Sequence, residues 1–227
     1  MKTSILTILA YFIMCSVSYA SDVYITQSGA SLTANINQDG QTNRFGVSGT
    51  VVTLTGDSQV LDIDQIGNTN TIAASLIGAI QEFTLRQAGN SNTSTVSVGS
   101  NSASGDNSII ETITGSSNTT TVNVGNSAST DDADIDLTAT GDSNTITINE
   151  NSTASMVGSD KKITSITAIG SSNTITSTHT GAADQDTTLH HTGASSTFAI
   201  TQGGAYDGTT SITTVGSGHN VTVTMDD

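Results

Sequence analysis

Apolar and polar residues alternate along most of this chain, and the alternation restarts around a recurrent glycine. That glycine occurs as Gly40, Gly67, Gly89, Gly115, Gly141, Gly170, Gly193 and Gly216, at intervals of 22 to 29 residues. Four places before it stand Ile36, Ile63, Leu85, Glu111, Leu137, Ile166, Leu189 and Ile212. Five places after it stand Phe45, Ile72, Ser94, Thr120, Ile146, Ile175, Phe198 and Val221. Seven places after it stand Val47, Ala74, Val96, Val122, Ile148, Ser177, Ile200 and Val223. Apolar positions spaced by two mark β-strands, whose side chains point alternately to opposite faces. β-Branched residues dominate these columns, as a pleated surface prefers. Each repeat therefore predicts a strand, a turn at the glycine, a second strand and a more variable second turn. Gly29, Gly56, Gly78, Gly158 and Gly181 mark many of the second turns, whose length is expected to absorb the uneven spacing.

Two polar columns share the inward parity. Gln38, Gln65 and Gln87 stand two places before the glycine. Asn43, Asn70, Asn92, Asn118, Asn144 and Asn173 stand three places after it, followed by Ser196 and His219. A lone hairpin is marginal in water, but stacked copies pair every strand with one above and one below, at roughly 4.7–4.8 Å. Isoleucine then lies on isoleucine and asparagine on asparagine, so a ladder of buried amides satisfies its own hydrogen bonds. The predicted fold is all-β: a β-solenoid of stacked strand–turn–strand repeats, with about eight layers and about 38 Å long at that spacing. Glu111 interrupts an apolar column among Ile109, Ile110 and Ile113, which predicts a bulge or a one-residue slip there.

Composition supports this reading. Apolar residues are 34% of 227 and proline is absent. Ordinary globular domains are roughly 45–50% apolar, so a conventional core would be underfilled. The remaining classes are a disordered polar chain and a repeat with a thin core. The absence of proline favours the second, because β-ladders exclude it. Residues 1–20 stand apart: Lys2, an apolar run from Ile5 to Cys15, and small Ser18 and Ala20 predict a signal peptide cleaved after Ala20. Residues 21–227 would then form a single solenoid domain with no cysteine and no transmembrane segment. Its four basic residues (Arg44, Arg86, Lys161, Lys162) face twenty acidic ones, which disfavours nucleic acid and anionic membranes as partners.

The segments "QDGQTN" (38–43), "QIGNTN" (65–70) and "QAGNSN" (87–92) resemble the centre of the curlin repeat of bacterial functional amyloid (curli) subunits. "GSSN" (115–118), "GDSN" (141–144) and "GSSN" (170–173) continue its Gly-x-x-Asn half. The resemblance covers most of residues 21–227. It differs from the family pattern at the inner alanine, which is usually Ile or Phe here, and at the final glutamine, kept only at Gln202. It implies a secreted subunit that joins copies of itself through the solenoid ends into an extracellular or cell-surface fibre of a biofilm matrix. It also implies a second curlin-like subunit, a secretion pore and periplasmic chaperones as partners. The stacking residues would be Gln38, Asn43, Gln65, Asn70, Gln87, Asn92, Asn118, Asn144 and Asn173.

No catalytic, cofactor or metal constellation is legible, and none is expected. His179, His190, His191 and His219 fall in no zinc-protease or cysteine–histidine pattern. By parity His190 faces outward, while His191 and His219 occupy the Gln and Asn columns. Asp131, Asp132, Asp134 and Asp136 lack the glycine and glutamate of a helix–loop–helix calcium site. Outward Thr93/Thr95, Thr119/Thr121, Thr145/Thr147 and Thr174/Thr176 form a Thr-x-Thr face similar to those of ice-binding solenoids. A monomeric adhesin or ice-binding solenoid is therefore the alternative to a fibre subunit.

Overall fold

The computed structural model describes residues 21–40, 42–46, 49, 51–78, 80–99, 106–125, 133–151, 161–181, 184–203 and 208–226. Among these, the chain forms strands and no helix. The smaller sheet contains β3 (Ser31–Asp39), β6 (Ser58–Ile66), β8 (Ile80–Ala88), β10 (Asn107–Thr114), β12 (Ala133–Thr140), β14 (Lys161–Ile169), β16 (Asp184–Ala194) and β18 (Gly208–Ser217), stacked in chain order. The larger contains β7 (Thr71–Ile77), β9 (Thr93–Val98), β11 (Thr119–Val124), β13 (Thr145–Asn151), β15 (Thr174–Thr180), β17 (Thr197–Gly203) and β19 (Asn220–Asp226). At one edge it adds two rows, each split into short strands: β1 (Ser21–Val23) then β2 (Thr26–Ser28), and β4 (Asn43–Phe45) then β5 (Val52–Thr55). From β6 onward successive strands alternate between the sheets, and every pairing is parallel. The result is a parallel β-solenoid.

Eight equivalent layers are too simple a picture. Six coils, from β6 to β17, have an unbroken strand in each sheet and a neighbour on both sides. The first coil has its second arm divided into β4 and β5, and β18–β19 is the last coil among the described residues. Residues 1–20, the expected signal peptide, lie outside the described residues, as do Gly158, Asp131 and Asp132.

The registers place the predicted columns directly above one another. Ile146 pairs with Ile175 and Ile175 with Phe198; Ile166 pairs with Leu137 and Leu189. The apolar residues assigned to these columns are buried, except at the ends. Val47 lies outside the described residues. Ile36 and Ile212 are only partly buried, and Val221 and Val223 are 45% and 43% exposed. All four have the predicted inward parity; they are uncovered because they belong to the first and last coils. The core is also wider than the three columns suggest. Leu61, Phe83, Ile109 and Ile135, six places before the glycine, and Leu76, Val98 and Val124, nine places after it, are 0–1% exposed.

Two local expectations are corrected. Glu111 causes neither bulge nor slip: it pairs with Leu85 on one side and Leu137 on the other, within an unbroken β10. The ladder's backbone bonds outweigh one misplaced side chain, which is held inside instead. In the first coil, the place assigned to Val47 is taken by Val52, which pairs with Ala74. The extra length of that repeat is inserted between β4 and β5, not in the second turn, so the half-period glycines Gly29, Gly56 and Gly78 still stack.

The turn explains the recurrent Gly-x-Ser-Asn. A Cβ on Gly141 would lie 1.8 Å from the Gly115 carbonyl oxygen, and one on Gly170 2.1 Å from that of Gly141. Their φ angles, +132° and +130°, are also unsuited to other residues. The serine two places on adopts the left-handed conformation in five coils: Ser91, Ser117, Ser143, Ser172 and Ser195, at φ +56° to +60°. That reversal lets the next residue, asparagine in four of the five, start the second strand facing inward.

Candidate self-assembly interface and interior polar groups

The glutamine column is an amide ladder as predicted. Gln65 Nε2 donates to Gln38 Oε1 at 2.6 Å, and Gln87 Nε2 to Gln65 Oε1 at 2.9 Å. It ends where Ile113 replaces glutamine, leaving Gln87 Oε1 buried without a partner among the described residues.

The asparagine column works differently. Each Oδ1 accepts the backbone N–H of the asparagine one coil earlier: Asn70 to Asn92 (3.1 Å), Asn92 to Asn118 (2.9 Å), Asn118 to Asn144 (3.1 Å) and Asn144 to Asn173 (2.8 Å). Each Nδ2 donates to the glycine carbonyl of its own turn, at 2.6–3.1 Å from Asn92 to Asn173. One side chain thus braces its own turn and satisfies the donor of the turn before it. Ser196 Oγ continues the series by accepting from the Asn173 N–H at 3.0 Å, and His219 Nδ1 stands 3.5 Å from the Ser196 nitrogen. The two earliest members depart from the ladder. Asn43 Nδ2 donates to the Gln38 and Ile66 carbonyls, and both side-chain polar atoms of Asn70 lack a partner among the described residues.

Inside the solenoid lie two polar sites that the three-column reading missed. Ser94 Oγ donates to Glu111 Oε1 at 3.2 Å across the interior. Burial pushes the Glu111 carboxyl up to about 8, against the smaller downward pull of the Ser94 hydrogen bond. The second site begins where columns change character. Six places before the glycine, Ile135 gives way to Thr164, Thr187 and Thr210; nine places after it, Val124 gives way to Glu150, His179 and Gln202. His179 Nδ1 lies 2.5 Å from Glu150 Oε2, and its Nε2 lies 2.7 Å from Ser177 Oγ and 3.0 Å from Thr187 Oγ1. Thr164 Oγ1 donates to the other Glu150 oxygen at 3.3 Å. Gln202 Nε2 donates to Thr187 Oγ1 at 3.1 Å, and Thr210 Oγ1 to Gln202 Oε1 at 2.6 Å. Lys162 is buried nearby, its Nζ without a hydrogen-bond partner among the described residues. Burial pulls its pKa down, partly offset by the Glu150 charge.

The Glu150–His179–Ser177 order has the connectivity of a hydrolase relay. Its members are 0–1% exposed between stacked coils, so no substrate carbonyl reaches Ser177 Oγ in this structure. The geometry suits a satisfied interior network, not a nucleophile. The other histidines sit as parity requires: His190 is exposed, and His191 is buried in the glutamine column, its Nε2 3.0 Å from the Gly170 carbonyl. Burial lowers the His191 pKa. His191, Phe198 and His219 form a ring cluster with centroids 4.9–5.8 Å apart, ending at the open coil. Among the described residues, no group of three or more His, Cys, Asp or Glu could hold a metal.

Apolar inward positions are most exposed in that last described coil. Phe198 and Ile200 in β17 are 0% and 1% exposed, while Val221, Val223 and Met225 of β19 are 45%, 43% and 53% exposed. Val23 and Ile25 at the opposite edge are partly buried against the core. No family model, curated protein or solved structure matches this chain. The functional reading rests on the residues themselves.

On the outer face of the larger sheet, Thr71, Thr93, Thr119, Thr145, Thr174 and Thr197 form one unbroken column. Arg86 and Asp64 make an exposed ion pair of 2.8 Å between adjacent coils.

Proposed function

We propose that this protein is a secreted structural subunit which polymerises end to end into extracellular, curli-like fibres with amyloid-type cross-β order. The observation that carries the reading is that, among the described residues, the first and last strands each leave one edge unpaired, with inward columns that continue the columns of the core. A strand edge of this kind templates further pairing, and burying Val221, Val223 and Met225 under another coil adds the hydrophobic term. The repeats resemble curlin units in the same columns, which supports the fibre class. A second curlin-like subunit, an export pore and periplasmic chaperones belong to this proposal. The interior supports a structural role with no catalysis.

The test is direct. Purified protein, concentrated and left for days, is expected to convert from monomer to fibres with a diffraction repeat of roughly 4.7–4.8 Å along the axis. A folded monomer that persists under those conditions overturns the reading. The unbroken threonine column favours a second reading, a monomeric adhesin or ice-binding solenoid, and thermal hysteresis measured on such a monomer decides for ice.

A further inference from the structure

The two ends are not alike, and their difference specifies a joint. At the far end both sheets stop together, with β18 and β19. At the near end the larger sheet runs half a coil further: β1 and β2 lie beyond β4 and β5, while β3 is the last described strand of the smaller sheet. The first contact between stacked copies therefore falls in the larger sheet.

Both edge strands carry the same columns. Through β4, β5 and β7, Val23 aligns with Phe45 and Ile72, and Gln27 with Leu54 and Leu76. Through β17, Val221 aligns with Phe198 and Met225 with Gln202. Val23 and Val221 thus share one column, Ile25 and Val223 the next, and Gln27 and Met225 the third. The insertion that divides β4 from β5 is absent from both edges, since only Tyr24 and Ile25 separate β1 from β2. Outward positions are also compatible: Asn220 would face Asp22 and Asp226 would face Ser28, with no like charges opposed.

We propose that β19 of one copy pairs in parallel with β1–β2 of the next, with Asn220 opposite Asp22 and Asp226 opposite Ser28. This rests on the fibre reading above and adds its polarity and register. The joint is heterologous, and because each copy is added along the solenoid axis it propagates without closing. It continues one sheet only. Across it, β18 and the neighbour's β3 stand two strand spacings apart, about 9.5 Å, and the smaller sheet is interrupted once per subunit.

Two measurements test this. Variants Y24C and T222C, each made in a C15S background so that it carries a single thiol, are mixed and allowed to form fibres, then oxidised. Tyr24 is an exposed outward residue, and the proposed register sets it opposite Thr222. The expected product is a disulfide between one Y24C copy and one T222C copy. It should form at least tenfold more than when N220C or T224C, each displaced by two residues, replaces T222C. A predominant disulfide between two Y24C copies overturns the polarity, and equal yields from the displaced pairs overturn the register. Hydrogen exchange on fibres of the unmodified protein is the second test. Amides of β19 should become protected on assembly, while those on the outer edge of β18 remain as exchangeable as in the monomer. Equal protection of both strands overturns the one-sheet joint even if fibres form. Absence of fibres overturns the parent reading and the joint with it.

Discussion

At the scale of single residues, the turn is where this chain has least freedom. Asn144 serves two coils: its Oδ1 accepts the N–H and Nδ2 of Asn118, and its Nδ2 holds the Gly141 carbonyl. Asn144→Ala leaves buried groups unsatisfied, at a cost of about 1–3 kcal/mol. Asn144→Ser should lose less, because Ser196 already fills the role with a hydroxyl. Urea unfolding of the two variants checks the order; an alanine variant as stable as the parent removes the brace. Ser143 occupies the left-handed region at φ +60°. Ser143→Gly relieves a cost of roughly 1–2 kcal/mol per such residue, offset in part by the entropy of the unfolded chain, and should raise the melting temperature. Gly218 already holds the corresponding place in the last coil, at φ +75°. Gly170→Ala should instead destabilise strongly, through both its φ and the Gly141 oxygen.

At the scale of strands and their stacking, the buried ionisable groups set the pH response. Glu111 holds its proton in the folded state to about pH 8, while an unfolded carboxyl releases it near 4.5. Between those values the folded state binds the extra proton, so stability falls as pH rises. The loss is of the order of 5 kcal/mol at about 1.36 kcal/mol per pK unit. Glu111→Gln should abolish that slope, read as the difference between the two proteins' unfolding free energies from pH 5 to 8. Identical slopes would show that Glu111 is not held neutral. The Glu150–His179 pair makes a different prediction. Removing one partner, as in His179→Val, leaves a buried Glu150 oxygen without its hydrogen bond, at a cost of about 1–3 kcal/mol. The double variant Glu150→Val/His179→Val extends the valines of Val98 and Val124 along the same column and should recover most of that loss. A double variant no more stable than the single one would show that losing His179 does not leave Glu150 at a cost.

At the scale of the whole molecule, the proposed fibre growth rests on the exposed edge of β19. Met225 is 53% exposed in the monomer and lies over Gln202 in the polar column. Met225→Lys should leave the monomer fold intact while placing an ammonium in each proposed joint. Seeded elongation should slow by at least tenfold at neutral pH, and an unchanged rate would place growth elsewhere than at β19.

Much of this architecture is legible without coordinates. Three inner columns, both polar columns and the outward parity of the threonines follow from period-two alternation around one glycine. Glu111 and Ser94 are also visible, each as an exception in its own column, but nothing along the chain says that they face each other. The same holds for Glu150, His179, Ser177 and Thr187: their columns lie near the second turn, where uneven spacing hides the repeat. The insertion before Val52 escapes the pattern for a related reason, since a repeat length fixes how many residues are extra and not where they leave the ladder.

By itself the sequence determined the local physics: which positions form strands, which face is dry, where glycine is compulsory and that copies of one motif must stack. Only the tertiary structure decided the meetings. Parallel stacking brings together residues one repeat apart, and the two sheets bring together columns from opposite arms. Hydrogen bonding between Ser94 and Glu111, the burial of Lys162, and the half-coil that makes one end unlike the other are consequences of that three-dimensional register. A one-dimensional pattern fixes the period of a solenoid; the distances between its columns exist only once the coil has closed on itself.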